Sequence, residues 1–436
     1  MSTTERDARY ALVVLFVVNL LNFFDRTIGS ALAEPIRREF SLTDQQLGLM
    51  ATAFIVAYAI IGLPLGRLSD TRTRTRIVAG GVAFWSGLTA FGGLAWGLGS
   101  LVAARIGVGL GEAACAPAAQ SLIGDYFPPT RRARALAVFM AGLPLGLFFA
   151  YLLAGAIATR FGWRAVFFAA CVPGLVAAAL AMRMREPLRG ATEVAGGAAS
   201  AVSKAPFRDL ARIPTLRWIV LSGATFNFFT YAVNAFNNAF LMRYHGLDLK
   251  TAGLVSSLSL GLVGLVGLWL GGTLGDRLRA GRPNARLLLP AWAFVVAAPL
   301  SFFGLQQPRG AVTVYAALFA AVTAVAYIYY ATIYSAIQDV VAPRLRGAAV
   351  ALYFFAMYLL GAAFGPVIVG TLSDRMARAA MEAAGAAVMS ETFRAEGLHQ
   401  AMYVIPVLLA CTALVLFAAA RTVAADIARL QASPPA

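Results

Sequence analysis

This chain has little of what enzyme chemistry is usually built from. Its 436 residues include two histidines, His245 and His399, and three cysteines, Cys115, Cys171 and Cys411. The histidines fall near expected span ends. The cysteines fall inside apolar stretches, in no metal-ligand spacing. No HExxH pattern or Cys/His cluster is present, which argues against a zinc centre. No GxxxxGK[ST] loop occurs, so the chain has no ATP motor of its own. Its acids and arginines have no nucleophile or metal cluster beside them, which argues against an enzyme. No cofactor is expected. Charge is scarce too: 13% of residues, against about 25% in soluble domains. No basic segment carries the aromatic interleaving of a nucleic-acid surface.

What is present is apolar length. The chain is 60% hydrophobic, with a mean hydropathy of +0.74. Many runs exceed the ~20 residues that span ~30 Å of hydrocarbon. Lipid-exposed spans must be helices or closed barrels, and these unbroken runs lack the alternation of barrel strands. An all-α membrane protein follows. About twelve spans are expected, near 10–32, 45–67, 77–98, 101–125, 133–159, 164–183, 216–242, 251–274, 286–305, 311–338, 347–372 and 399–420. The first lacks a small-residue cleavage site and reads as a retained helix. With both termini cytoplasmic, most of the 36 Lys and Arg lie on the inner side, as the positive-inside rule requires. The net charge of +16 then reflects topology and anionic lipid, not nucleic acid. Short loops and a compact chain point to a bacterial inner membrane and a monomer.

Polar residues 184–213 read as a cytoplasmic linker, dividing an N-terminal six-helix bundle (1–183) from a C-terminal one (214–436). The halves resemble each other. Gly66-Arg67-Leu68-Ser69-Asp70 after the second span matches Gly272-Thr273-Leu274-Gly275-Asp276 after the eighth. Asp125, Pro129 and Arg132 recur 214 residues later as Asp339, Pro343 and Arg346. A duplicated six-helix unit is a transporter signature, with the site between the halves.

These motifs resemble those of the major facilitator superfamily. Gly66-x-Leu68-Ser69-Asp70 with Arg72, Arg74 and Arg76 is similar to its loop 2–3 signature, although Thr73 stands where a Gly is usual. Arg105-x-x-x-Gly109-x-Gly111-Glu112-Ala113 resembles its fourth-helix motif. Gly142-Leu143-Pro144-Leu145-Gly146 and Gly361-x-x-x-Gly365-Pro366 resemble its Gly/Pro elements of helices five and eleven. Asn22-Phe23-Phe24-Asp25-Arg26 with Gly111-Glu112-Ala113 is similar to the spinster-like branch. The resemblance implies alternating access between two bundles. For that branch it implies proton-coupled transport of lysolipid-like or sphingosine-phosphate-like molecules.

Four charges sit where lipid should be: Asp25, Arg26, Arg105 and Glu112. Charges near the bilayer centre cost a few kcal/mol and mark substrate, ion or proton paths. Asp25 and Arg26 point about 100° apart on a helix. Their alternative reading is a solvated helix end. Arg105 and Glu112 lie two turns apart on one face, about 10.5 Å along the axis. Their alternative is a structural ion pair, since a buried charge needs a partner either way. Either arginine could pair with either acid.

Asp25 and Glu112 are the expected proton-coupling acids, and Arg26 and Arg105 the head-group ligands. Across from them the second half offers Asn227, Tyr231, Asn234, Tyr330 and Tyr358, whose alternative is packing or an interfacial belt. The resemblance implies an inner gate at Asp70, Arg72, Arg74, Asp276 and Arg277; a solvated loop is the other reading. The segment 373–398 reads as an outer amphipathic helix or a loose loop. The expected partners are the lipid bilayer, protons and an amphipathic, anionic substrate. The alternatives are efflux of drugs or small organic anions, and an uncoupled lipid-binding receptor.

Overall fold

A computed structural model describes residues 3–189, 206–279, 282–342 and 345–432. Among the described residues it is helical, with no strand. The helices run in chain order as α1 (Thr3–Ala31), α2 (Ala33–Phe40), α3 (Asp44–Thr71), α4 (Arg74–Gly92), α5 (Leu98–Ala113) and α6 (Cys115–Tyr126). Next come α7 (Pro129–Met140), α8 (Gly142–Phe161), α9 (Trp163–Met182), α10 (Pro206–Ala211), α11 (Pro214–Arg243) and α12 (Leu249–Ser256). The last are α13 (Val263–Arg279), α14 (Ala285–Leu305), α15 (Val312–Val340), α16 (Arg346–Ala356), α17 (Phe364–Ala383), α18 (Glu391–Met402) and α19 (Val404–Ala432). Single π-helical turns, Ser257–Leu262 and Met357–Ala362, join α12 to α13 and α16 to α17.

Eleven helical stretches among the described residues are long and apolar enough to cross a membrane. The expected span at 77–98 is α4, which stops at Gly92 and is not among those eleven. Its glycines and its opening Arg74 and Arg76 make it less apolar than its neighbours. The segment 373–398 is mostly helical: α17 runs on to Ala383, and α18 starts at Glu391 after a Ser390 cap.

Prolines set many of the breaks. A proline lacks its N–H and clashes with the carbonyl four residues earlier. Pro35, Pro117, Pro144 and Pro406 each lie four residues after the end of a helix, at Ala31, Ala113, Met140 and Met402. Pro366 stands in the same relation to Ala362, the end of a π turn. Thr43 starts α3 with a reciprocal Thr43–Gln46 capping box, and Asp248 caps α12 through the N–H groups of Lys250 and Thr251.

The chain forms two compact units. One comprises Met1–Gly197 with Leu247–Ser257, the other Ala198–Gly246 with Leu258–Ala436. In the first, α1 packs on α8 and α9, α4 on α9 and α5, α3 on α5, and α12 on α8. In the second, α14 packs on α15 and α19, α13 on α15, and α11 on α19.

The sequence repeat recurs as contacts inside each unit. Arg74 at the start of α4 pairs with Asp125 at the end of α6. Arg286 at the start of α14 pairs with Asp339 near the end of α15 at 3.0 Å. Arg132 donates to the carbonyl of Gly124, and Arg346 to that of Gln338. Asp125 and Asp339, Arg132 and Arg346, and Gly124 and Gln338 are each 214 residues apart, and Arg74 and Arg286 are 212 apart. A Cβ on Gly146 would lie 2.5 Å from the Leu20 carbonyl of α1, and one on Gly361 2.2 Å from the Ala224 carbonyl of α11. Glycine there allows two helix backbones to touch, as small residues do in membranes.

Candidate functional site

All four expected charges lie in the first unit: Asp25, Arg105 and Glu112 are buried, and the Arg26 side chain is 7% exposed. Asp25 and Arg26 sit within α1, six and five residues before it ends, with Asp25 only 2% exposed. This replaces the solvated-helix-end alternative with an interior pair.

The glycines of α5 build the surroundings. A Cβ on Gly107 would meet Leu88 of α4 at 2.6 Å, and one on Gly109 the Phe54 carbonyl of α3 at 2.7 Å. One on Gly111 would meet the Cβ of Trp85 at 2.9 Å. So α3 and α4 approach α5 closely, and their rings reach the charges. Arg26 Nε donates to Glu112 Oε2 at 2.7 Å, the two side chains 7% and 0% exposed. The Arg26 guanidinium lies 4.2 Å from the Tyr58 ring centre, 5.0 Å from Phe23 and 5.4 Å from Phe54. Three π faces thus add to the ion pair in holding one cation.

Asp25 is held differently. Its Oδ2 accepts from the indole Nε1 of Trp85 at 2.8 Å. Arg105 Nη1 donates to the main-chain carbonyl of Asp25, also at 2.8 Å, and not to its carboxylate. Arg105 also lies 5.3 Å from the Phe167 ring centre and packs on Gly29, where a Cβ would meet its Nη2 at 3.2 Å. Asp25 Oδ1, Arg105 Nη2 and Glu112 Oε1 are buried with no hydrogen-bond partner among the described residues. Such groups are costly where they serve only the fold. The site therefore contains one ion pair, whose Glu112 keeps Oε1 unsatisfied, and beside it an acid and an arginine each with a polar atom unsatisfied.

The second unit is organised around hydroxyls and amides. Asn227 is fully buried and donates to the Gly223 carbonyl at 3.0 Å, while the Tyr330 hydroxyl approaches its Oδ1 at 3.5 Å. Tyr231 and Tyr358 meet edge to face with ring centres 6.2 Å apart, and Asn234 is half-buried one turn on. Tyr329 links Ser222 and Tyr353 through its hydroxyl. A buried acid of the second unit, Asp426, accepts from the N–H and the hydroxyl of Thr215 at the start of α11. Both histidines belong to an aromatic group around Phe240 and Tyr244, with His245 pushed down to about 4 by burial and by His399.

Of the expected gate residues, the side chains of Asp70 and Asp276 lie outside the described residues. Arg72 and Arg277 are exposed. Arg74 is 1% exposed and binds Asp125, Ser121 and, at 2.7 Å, Glu186. Glu186 also accepts from the Thr75 N–H of α4 at 2.9 Å. Arg189 donates to the carbonyls of Ser69 and Arg72 at the end of α3. The first residues of the segment read as linker thus hold the α3–α4 turn.

Burial pushes the Glu186 carboxyl up, but the Thr75 N–H and Arg74 outweigh it and hold Glu186 below the usual carboxylate range. A depressed carboxylate stabilises the fold above its unfolded value of about 4.3 and loses that contribution as pH falls through the folded value. Glu186→Gln should therefore flatten the loss of thermal stability below about pH 4.5, by about 1 kcal/mol or less. An unchanged acid limb in melting curves of the purified variant would contradict this assignment.

This is the architecture of a polytopic transporter with a cluster of in-span arginines and carboxylates in the first of its two repeats. The profile of the Major Facilitator Superfamily matches residues 15–366, and the chain belongs to that family, in its spinster branch. Similar proteins include an MFS-type efflux pump of Mycolicibacterium smegmatis, 32% identical, covering 85% of this chain and 86% of the relative. Human protein spinster homolog 1 is 30% identical, covering 85% of this chain and 74% of the relative. The crystal structure of a bacterial homolog of the human lysosomal transporter spinster, inward-facing and unoccupied, superposes with a TM-score of 0.88. It has 28% identity, covering 98% of this chain and 99% of that one.

Proposed function

We propose that the chain is a proton-coupled secondary transporter that carries an amphipathic, anionic, lipid-like substrate by alternating access. It would act as a monomer in a bacterial inner membrane with both termini cytoplasmic. The observation that carries the reading is the Arg26–Glu112 pair beside Asp25, whose carboxylate accepts from an indole and, among the described residues, from no cation. A proton on Glu112 cancels the charge that holds Arg26, leaving that arginine to an anionic head group. Arg105, with one Nη unsatisfied, is the second head-group donor. The rings of Phe23, Phe54 and Tyr58 offer apolar surface to an acyl or sphingoid chain. In the second bundle, Asn227, Tyr231, Asn234, Tyr330 and Tyr358 supply hydrogen-bonding tips on aromatic surface. Asp70, Arg72, Arg74, Asp276 and Arg277 serve as the inner gate.

Proton and anion then bind cooperatively, which is the charge logic of symport. A cationic substrate would compete with the proton and give antiport. In proteoliposomes, uptake of an anionic lysophospholipid should accelerate with an inward proton gradient. Asp25→Asn and Glu112→Gln should each lower the gradient-driven rate at least tenfold while leaving counterflow of labelled substrate. Flux that ignores the gradient, with both variants unaffected, would reject coupling at these residues.

A second reading is efflux of drugs or small organic anions. It is favoured by the 32% identity to an efflux pump and the 28% identity to a probable L-galactonate transporter of Escherichia coli, which covers 84% of this chain. Transport of such compounds with no lysolipid flux would select it.

A further inference from the structure

Trp85 was not among the residues that the sequence marked, yet among the described residues it makes the one hydrogen bond to the Asp25 carboxylate. Its side chain is fully buried, and Gly111, the residue before Glu112, packs on its Cβ. A Cβ at Gly111 would also lie 3.0 Å from the Trp85 backbone nitrogen, so glycine there lets α5 close on α4 at the residue that carries the indole. The charged or titratable groups around Asp25 are Arg26 on its own helix, Arg105 and Glu112 on α5, and the Cys171 thiol on α9. Arg26 is engaged by Glu112, and Arg105 by the main chain.

We propose that Trp85 is a positioning residue of the coupling site: its indole N–H fixes Oδ2 of Asp25, so that Oδ1 takes the proton. The proposal rests on the transport reading above for its function, although the contact with Asp25 can be tested without it. A donor on a carboxylate oxygen favours the ionised form, and bonds of this charge-assisted kind are strong. Losing the indole N–H should therefore let Asp25 load in a less acid medium. Because Trp has a donor and no acceptor, it cannot take the proton from Asp25 or compete for it. The pair has one proton-accepting atom left unengaged on the carboxylate, Oδ1.

The test is an infrared titration of the full chain in liposomes, following the carboxyl C=O band that Asp25→Asn removes. In Trp85→Phe, which keeps a ring and loses the N–H, the midpoint of that band should move to higher pH by about one unit, the size expected for a hydrogen bond to a charged group. Half-maximal proton-driven uptake should move with it. In an Asp25→Asn background the same substitution should shift nothing further. A second measurement needs no substitution at Trp85: with 15N-indole tryptophan, one indole N–H resonance should titrate with the Asp25 midpoint and stop titrating in Asp25→Asn. An unmoved band in folded Trp85→Phe, or no indole resonance that follows Asp25, overturns the proposal. If the band moves while flux ignores proton gradients, the hold of Trp85 on Asp25 stands and the proton-coupled reading fails.

Discussion

Glu112→Leu should destabilise the purified protein by about 3–5 kcal/mol, because it leaves the Arg26 cation buried at 7% exposure without its counter-charge. The loss comes from stranding a charge, not from the worth of the pair. Arg26→Leu should cost about as much by stranding Glu112, which is 0% exposed. Replacing both with leucine should restore most of the loss, since a buried pair exchanged for apolar side chains of similar volume is often neutral. The double-mutant cycle is read by unfolding in detergent for all four proteins. Additive losses would mean that Arg26 and Glu112 each find other partners, and the pair would not be the unit described here.

Gly146→Leu is the second large effect expected. A Cβ at that position would lie 2.5 Å from the Leu20 carbonyl and 2.7 Å from the Cβ of Phe23. One contact is backbone and cannot swing away, so α1 and α8 must separate. Overpacking of this kind costs about 1–3 kcal/mol, and a backbone clash belongs at or above the top of that range. Phe23 also lies 5.0 Å from the Arg26 guanidinium, so the displacement reaches the site. Transport should fall with stability. Gly87→Ala is the control: a Cβ there meets nothing within 4 Å, and alanine should leave the helix neutral or up to about 1 kcal/mol more stable. Equal tolerance of both substitutions, by melting and by uptake, would contradict the close α1–α8 approach.

The sequence made the repeat legible because its signals are local. Asp125 and Asp339 stand at the same separation as Arg132 and Arg346, and the structure gives each member the corresponding contact within its own unit. The glycines at 107, 109 and 111 could be read as a face for close approach, though not which helix each one admits. The in-span charges were legible because charge in lipid is expensive. Their pairing was not. Whether Arg26 or Arg105 meets Glu112 depends on the rotation of α1 against α5, which no one-dimensional spacing fixes. Trp85 was hidden for the same reason: an indole in an apolar run has no signal until α4 is seen beside α1. Glu186 was hidden by its setting, a polar stretch that composition assigns to a linker while two bonds to residues more than a hundred positions away hold it to α4.

The central claim is that the buried ions of the first repeat take up a proton together with substrate. It is tested most directly by proton movement itself. A pH-sensitive dye sealed inside proteoliposomes should report acidification when an anionic lysolipid is added outside without any imposed gradient. The acidification should be lost in Asp25→Asn and in Glu112→Gln proteins that still bind the lipid. Substrate entry with no change in internal pH, or the same acidification in both variants, would contradict the account.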